Sequence, residues 1–171
     1  AASTRSDDET KLFGAENTSA ANDFVGRMKT WCIYNRALSA TDIGSLADES
    51  KLPTDSSLNT SSSLKLYLPM TSNFNDSSGN SVTINTHGNP SLVSPKLGTG
   101  AYSFDGSNDY VSTTETGLDF QASDSFSVAF WFKTTDTGEA GFVSRWNTSN
   151  NGWLVLKDSG TTASFRMSSN W

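Results

Sequence analysis

The residues best suited to hold a ligand lie in a polar turn, NFNDSSGN, at positions 73–80. Calcium takes about six to eight oxygen ligands from carboxylates, amides and carbonyls, and a short glycine-containing loop can present several of them at once. Asp76 and Asn80, with the intervening carbonyls, are the ligands that this turn offers. A second interpretation is an Asx turn, in which Asp76 bonds the backbone two residues further on. The sequence leaves both interpretations open.

Two tryptophans flank an Asn-rich hairpin in SRWNTSNNGWLVLKD, at positions 144–158. Aromatic rings with a few polar neighbours form a platform for small polar ligands, and sugar binding is therefore the chemistry expected of Trp146, Asn150 and Trp153. Trp153 begins an apolar run and equally fits the core, whereas Trp146 is expected to be more exposed. Trp131, inside a strongly alternating run, could line the concave sheet or pack beneath it, and of the two places the core is expected.

The sequence offers no catalytic constellation, and no catalytic residue is predicted. A glycosidase needs two carboxylates facing one scissile bond, but the acidic clusters SDDET and ADES lie in turn-like or linker contexts. A Ser-His-Asp site would have to use His87, which lies in THGNP without a nucleophile motif. The single cysteine, Cys32, lies between Trp31 and Ile33 and is expected to be a buried small hydrophobe. We therefore expect a chain that is not an enzyme.

Charge and hydropathy exclude two classes of partner. The net charge is −6, and the twelve Lys and Arg residues are scattered along the chain. Nucleic acid needs a clustered basic footprint, so we expect no nucleic-acid partner. Because no apolar run approaches the roughly 20 residues needed to cross a bilayer, we expect no membrane insertion.

Short alternating runs separated by Gly, Asn, Asp and Ser predict antiparallel strands. The predicted strands cover residues 64–70, 101–105, 110–113, 126–133, 142–146, 152–157 and 163–167. Only SATDIGSLAD, at 39–48, predicts a helix, with Ser39 as its N-cap and Asp42 completing a capping box. The fold class is therefore all-β with one short helix.

The order of these features resembles a known family. An apolar first strand, NDSSGN, GAYSFDGSNDYV and the alternating SFSVAFWFK strand follow one another as in the opening half of a laminin-G-like jelly-roll domain, in the concanavalin A-like lectin/glucanase superfamily. The resemblance implies a concanavalin A-like antiparallel β-sandwich. It also implies that the turn at 73–80 belongs to a calcium site completed by acidic groups elsewhere, with Asp109 in GSNDYV as the expected contributor.

The order of the segments is unusual, because a domain ending precedes a domain beginning. DFVGRMKTWCIYNRALSATDIGSL is similar to the closing strand and short helix of the same family. We therefore predict residues 1–48 as the C-terminal part of one laminin-G-like domain, 49–63 as a Ser-rich linker, and 64–171 as the N-terminal part of the next. In the alternative arrangement, head and tail complete one sandwich, within the chain by circular permutation or between chains by swapping.

Two functions fit this reading of the sequence. The first is a recognition or adhesion module that binds glycan or a surface protein within a larger extracellular or cell-surface protein, alongside neighbouring laminin-G-like domains. The second is a structural component of a viral or phage fibre or capsid surface that acts through protein contacts. Laminin-G-like domains serve both purposes, and a fold does not fix a function.

Overall fold

The protein is a β-sandwich of two antiparallel sheets, and a short α-helix covers Ala40–Ala47. A computed structural model describes residues 11–15, 22–48, 58, 62–94, 100–121, 123–146, 152–160 and 162–168. In chain order its elements are β1 (Lys11–Phe13), β2 (Val25–Tyr34), α1 (Ala40–Ala47), β3 (Leu64–Leu68), β4 (Asn85–His87), β5 (Ser91–Val93), β6 (Ala101–Asp105), β7 (Tyr110–Thr113), a 3-10 helix (Thr116–Leu118), β8 (Ser127–Lys133), β9 (Ala140–Trp146), β10 (Gly152–Lys157) and β11 (Ala163–Ser168).

The strand order shows how distant parts of the chain combine. The six-stranded sheet has the order β11-β10-β9-β1-β7-β4. In the five-stranded sheet, β8 lies along one edge of β2, while β3 and β6 follow one another along the opposite edge, and β5 flanks β6. The all-β sandwich predicted from the alternating runs is confirmed, and so is the short helix predicted at 39–48, which is α1.

The segments 1–48 and 64–171, expected to belong to two domains, share both sheets. β2 pairs with β3, β6 and β8, and β1 pairs with β7 and β9. Within this chain they therefore form one sandwich, the arrangement that the sequence analysis gave as the alternative. The physical reason is that β2 fills the middle of the five-stranded sheet, where both of its edges find hydrogen-bonding partners.

The core lies between the two sheets and is rich in aromatic rings. Trp31 on β2 has its ring 4.1 Å from that of Phe130, at 10° between planes, and 5.0 Å from that of Phe13 on β1. Phe142 on β9 lies 5.1 Å from Phe130 and 5.4 Å from Phe24. These contacts join four strands of the two sheets, because apolar residues at alternate positions of each strand face the same interior.

A smaller cluster covers part of the outer face of the five-stranded sheet. Leu46 of α1 packs with Cys32 and Tyr34 of β2, and Leu58 joins them with no exposed surface. Leu58 lies within the predicted linker 49–63, whose other residues except 62 and 63 are outside the described part of the chain. A Ser-rich linker is not expected to contribute to a core, because polar residues dominate it, but Leu58 does.

The helix and the cysteine behave as the sequence predicts. Ser39 accepts a hydrogen bond from the Asp42 amide at 3.2 Å, and the Asp42 carboxylate accepts one from the Ser39 amide at 2.9 Å, which completes the capping box. Cys32 is 1% exposed, and burial raises the pKa of its thiol to about 12. No helix in the described ranges is long and apolar enough to cross a membrane.

Candidate functional site

The polar turn at 73–80 forms one wall of a cleft and is fastened to the open edge of β3. Asp76 accepts hydrogen bonds from the Tyr67 amide at 3.1 Å, the Ser78 amide at 2.9 Å and the Val82 amide at 3.1 Å. Asn80 donates from Nδ2 to the Leu64 carbonyl at 2.8 Å. These side chains satisfy backbone groups that a strand edge would otherwise leave unpaired.

This geometry is the Asx turn that the sequence analysis left open, since the bond from the Ser78 amide to Asp76 spans two residues. Asp109 lies elsewhere, in the turn before β7, where it accepts from the Asn89 amide at 2.7 Å and the Asp105 amide at 3.0 Å. Over the described ranges, no three His, Cys, Asp or Glu residues are grouped as metal ligands. Calcium binding stays a prediction.

The cleft beside this turn has a volume of about 700 Å³ and is lined by residues of both sheets and their connections. Its lining residues are Ser72, Asn73, Phe74, Asn75, Asp76, Ser81, Val82, Thr83, Ile84, Thr86, Pro90 and Tyr102. Concave sites of about 300–1,000 Å³ with a few convergent polar groups are typical of small-ligand binding. The turn that supplies Asn73 to Asp76 was singled out from the sequence, whereas Tyr102 joins the cleft through a long-range contact that local spacing does not show.

The floor of the cleft is aromatic. The rings of Phe74 and Tyr102 lie 4.1 Å apart at 38°, and the two residues are 8% and 7% exposed. Burial raises the pKa of the Tyr102 hydroxyl above its ordinary value. Phe74 also contacts Phe104 at 6.4 Å, so the floor is continuous with the core and is held rigidly.

The rim of the cleft is polar and uncharged except for Asp76. Asn75, Thr83 and Thr86 are exposed, and the Asn75 amide is fixed by a 2.9 Å bond to Asn73 Oδ1. Amide and hydroxyl groups both donate and accept hydrogen bonds. Together with an aromatic floor, they suit a neutral ligand with many hydroxyl groups.

The tryptophans expected to bind sugar are placed differently. Trp153 is fully buried, with its ring 5.1 Å from Phe126 and 6.2 Å from Phe120. A ring without exposed surface has no face for a sugar, which corrects the expectation for Trp153. Trp146 ends β9, but its side chain lies outside the described part of the chain, as does Asn150, so their roles stay predictions.

Trp131 differs from its expected placement in the opposite direction. It was expected in the core, but it is 40% exposed on the outer face of the five-stranded sheet. The sequence carried the signal, because Trp131 alternates in phase with Ser127, Ala129 and Lys133 and out of phase with Phe130.

His87 makes two contacts that sequence reasoning missed. Its ring stacks on Tyr110 at 4.1 Å and 4°, and its Nε2 lies 2.9 Å from Ser112 Oγ. Ser112 is fully buried, so its hydroxyl offers no surface to a substrate. The pair joins β4 to β7 and has a structural role.

The family match follows from the part of the chain that builds this cleft. A family model described as Clostridium neurotoxin, N-terminal receptor binding, matches residues 71–168. The chain belongs to this family. The match covers more than half of the chain and includes the turn, the cleft and β4 to β11. No curated protein and no solved structure matches the chain.

Membership in this family indicates a binding module, in agreement with the recognition role expected from the sequence. The all-β sandwich is common to the observed fold and to the expected laminin-G-like domain. The match does not distinguish a laminin-G-like domain, so that finer assignment stays a prediction, as do neighbouring domains of the same kind.

Proposed function

We propose that this chain is the receptor-recognition part of a secreted or surface protein and that it binds a neutral glycan in the cleft beside the polar turn. The observation that carries the proposal is the aromatic floor of Phe74 and Tyr102 beneath the exposed amide and hydroxyl groups of Asn75, Thr83 and Thr86. The description of the family as receptor binding supports a recognition role.

The cleft is preorganised for a ligand. The hydrogen bonds of Asp76 hold the turn before any ligand arrives, so little conformational entropy is lost on binding. The apolar floor favours the carbon face of a sugar ring, and the rim bonds its hydroxyl groups. Because the rim carries a single carboxylate, the site favours neutral over acidic sugars.

A glycan array followed by titration of the strongest neutral glycan tests this proposal. The double variant Asn75→Ala/Thr83→Ala removes two exposed rim side chains that form no hydrogen bond with other described residues, and we expect it to weaken binding at least about tenfold. Asn35→Ala, an exposed asparagine outside the cleft, is the matched control and should bind as the wild type does. Equal affinity of all three proteins, or no neutral glycan bound, would refute the proposal.

Assembly through protein contacts, as in a fibre or capsid surface, is the second candidate. The observation in its favour is β8, which pairs only with β2 among the described residues and exposes 45% of Phe132. An open strand edge pairs readily with another chain. Sedimentation over a hundredfold range of concentration tests this candidate, since self-association requires a rising mass and a constant monomeric mass excludes it.

A further inference from the structure

The outer face of the five-stranded sheet carries a block of three cations around an exposed tryptophan. Arg27 on β2 lies directly opposite Lys133 on β8, and Lys29 lies directly opposite Trp131. Directly opposite residues have Cβ atoms about 5 Å apart on one face of a sheet. We call these four residues the basic block.

The backbone fixes the direction of all four side chains. Met28, between Arg27 and Lys29, is fully buried, so its two neighbours point outward. On β8, the ring of Phe132 faces the interior 4.4 Å from Phe142, so Trp131 and Lys133 also point outward.

Two local features of β2 maintain this arrangement. The register of β2 against β8 shifts between Lys29 and Trp31, at Thr30, whose φ is 53°. Because of this bulge, Lys29 points outward while the buried Trp31 points into the core. Gly26 has φ 145°, and a Cβ there would lie 2.5 Å from the Lys133 carbonyl oxygen. Glycine is required at this point because any side chain would push β8 away from β2.

The charge of the basic block is unusual for this chain, whose net charge is −6. Among the described residues, no carboxylate forms an ion pair with Arg27 or Lys133. Asp105, the acid closest in register, lies opposite Val25. Like charges directly opposite each other destabilise a sheet, and an anion bound between Arg27 and Lys133 would remove that repulsion.

We propose that the basic block binds an acidic sugar chain, with sulfate or carboxylate groups between Arg27 and Lys133 and a sugar ring against Trp131. Guanidinium and ammonium groups together provide both directional and point-charge recognition of such anions. The inference does not depend on the cleft, whose residues are different and whose rim is nearly uncharged.

The placement of Trp131 favours a sugar over a membrane surface. The residue lies in the middle of a strand, 40% exposed between cations on the sheet face, and not at the tip of a loop. A ring held there presents one fixed surface next to charges of fixed spacing, which suits stacking and ion pairing with one rigid ligand. Binding to anionic lipid is accordingly an outcome that the test must detect separately.

Titration with a heparin hexasaccharide, compared with the same hexasaccharide after complete desulfation, tests the proposal. We expect the sulfated probe to bind, to quench tryptophan fluorescence, and to lose affinity as salt rises because the contacts are ionic. We expect the desulfated probe to bind at least about tenfold more weakly. Equal binding of the two probes, or none by either, would overturn the proposal.

Lys133→Glu and Lys65→Glu form a matched pair with the same change in net charge. Lys65 lies on β3, outside the basic block. We expect Lys133→Glu to abolish binding of the sulfated probe while the melting temperature stays the same or rises, because Arg27 then faces an opposite charge. Lys65→Glu should retain most of the binding. Equal loss in both variants would show a general charge effect and contradict a site.

Two further measurements distinguish this proposal from lipid binding and from glycan binding in the cleft. Phosphatidylserine vesicles that bind the chain while the hexasaccharide does not would replace the sugar with a lipid surface and overturn the proposal. Asn75→Ala/Thr83→Ala should leave hexasaccharide binding unchanged, whereas Lys133→Glu should leave neutral-glycan binding in the cleft unchanged. Binding at either site can therefore be refuted independently of binding at the other.

Discussion

The cleft and the basic block present side chains to solvent by two different means. In the cleft, an irregular turn is held by side-chain bonds to backbone groups, chiefly those of Asp76. In the basic block, backbone pairing between β2 and β8 places Arg27 opposite Lys133. The polar residues of the cleft are therefore partly structural, whereas Arg27 and Lys133 are placed by strand pairing and form no ion pair with the described residues.

Replacing Asp76 is the strongest test of whether the polar residues of the cleft are structural. Asp76→Ala removes the acceptor of three backbone amides, those of Tyr67, Ser78 and Val82. Part-buried amides without a partner are costly, and we expect the free energy of unfolding to fall by about 3 kcal/mol. Urea denaturation measures the change. Glu139→Ala, at an exposed ion pair 3.8 Å long, is the control and should cost less than about 0.5 kcal/mol.

The basic block should tolerate the corresponding change. Trp131 is 40% exposed, so Trp131→Ala loses part of its packing, and we expect the free energy of unfolding to fall by about 1 kcal/mol. Trp153→Ala is the contrasting variant, because its ring is fully buried and its loss should cost about 3–5 kcal/mol. If Trp131→Ala were as destabilising as Trp153→Ala, Trp131 would be a core residue, as the sequence analysis expected.

Local signals made the regular elements predictable. The strands 101–105, 110–113 and 152–157 were predicted with the observed bounds, and the helix was predicted through its capping box. Alternation and capping are properties of neighbouring residues, so the sequence displays them. The three-residue strands β1, β4 and β5 were missed, because so short a segment shows no period of its own.

The arrangement of the elements could not be predicted in the same way. The pairing of β2 with β8 joins residues about a hundred positions apart, and it alone brings Arg27 opposite Lys133. Leu58 is buried inside a Ser-rich segment for the same reason, since a nonlocal cluster recruits it. Sites formed by register or by a cleft depend on such long-range contacts, which a single sequence does not reveal.

The capping box of α1 should make the free energy of unfolding depend on pH. A 2.8 Å bond from Arg36, together with bonds from Ser39, holds the pKa of Asp42 well below its ordinary value. The stabilisation is therefore complete above the ordinary carboxyl pKa of about 4 and is lost as the pH falls below it. Asp42→Asn should be less stable than the wild type at pH 7, with the difference shrinking towards pH 2.

Urea denaturation from pH 7 to pH 2 measures this difference. Glu139→Gln, on an exposed and long ion pair, should show no comparable trend. Because α1 covers only part of the outer face of the sheet, we expect Asp42→Asn to leave hexasaccharide binding to the basic block unchanged. A parallel loss of binding would mean that the helix helps to position the block, and the two halves of that face would then be coupled.

Calcium should have the smallest effect on stability, and its addition tests whether the turn beside the cleft binds a metal. The carboxylates of Asp76 and Asp109 are already engaged by backbone amides at 2.7–3.1 Å. A cation would have to displace or share these bonds, so we expect the melting temperature to change by less than about 1 °C between millimolar calcium and a chelator. A calcium-dependent rise that Asn80→Ala removes would instead establish the turn as the metal site predicted from the sequence.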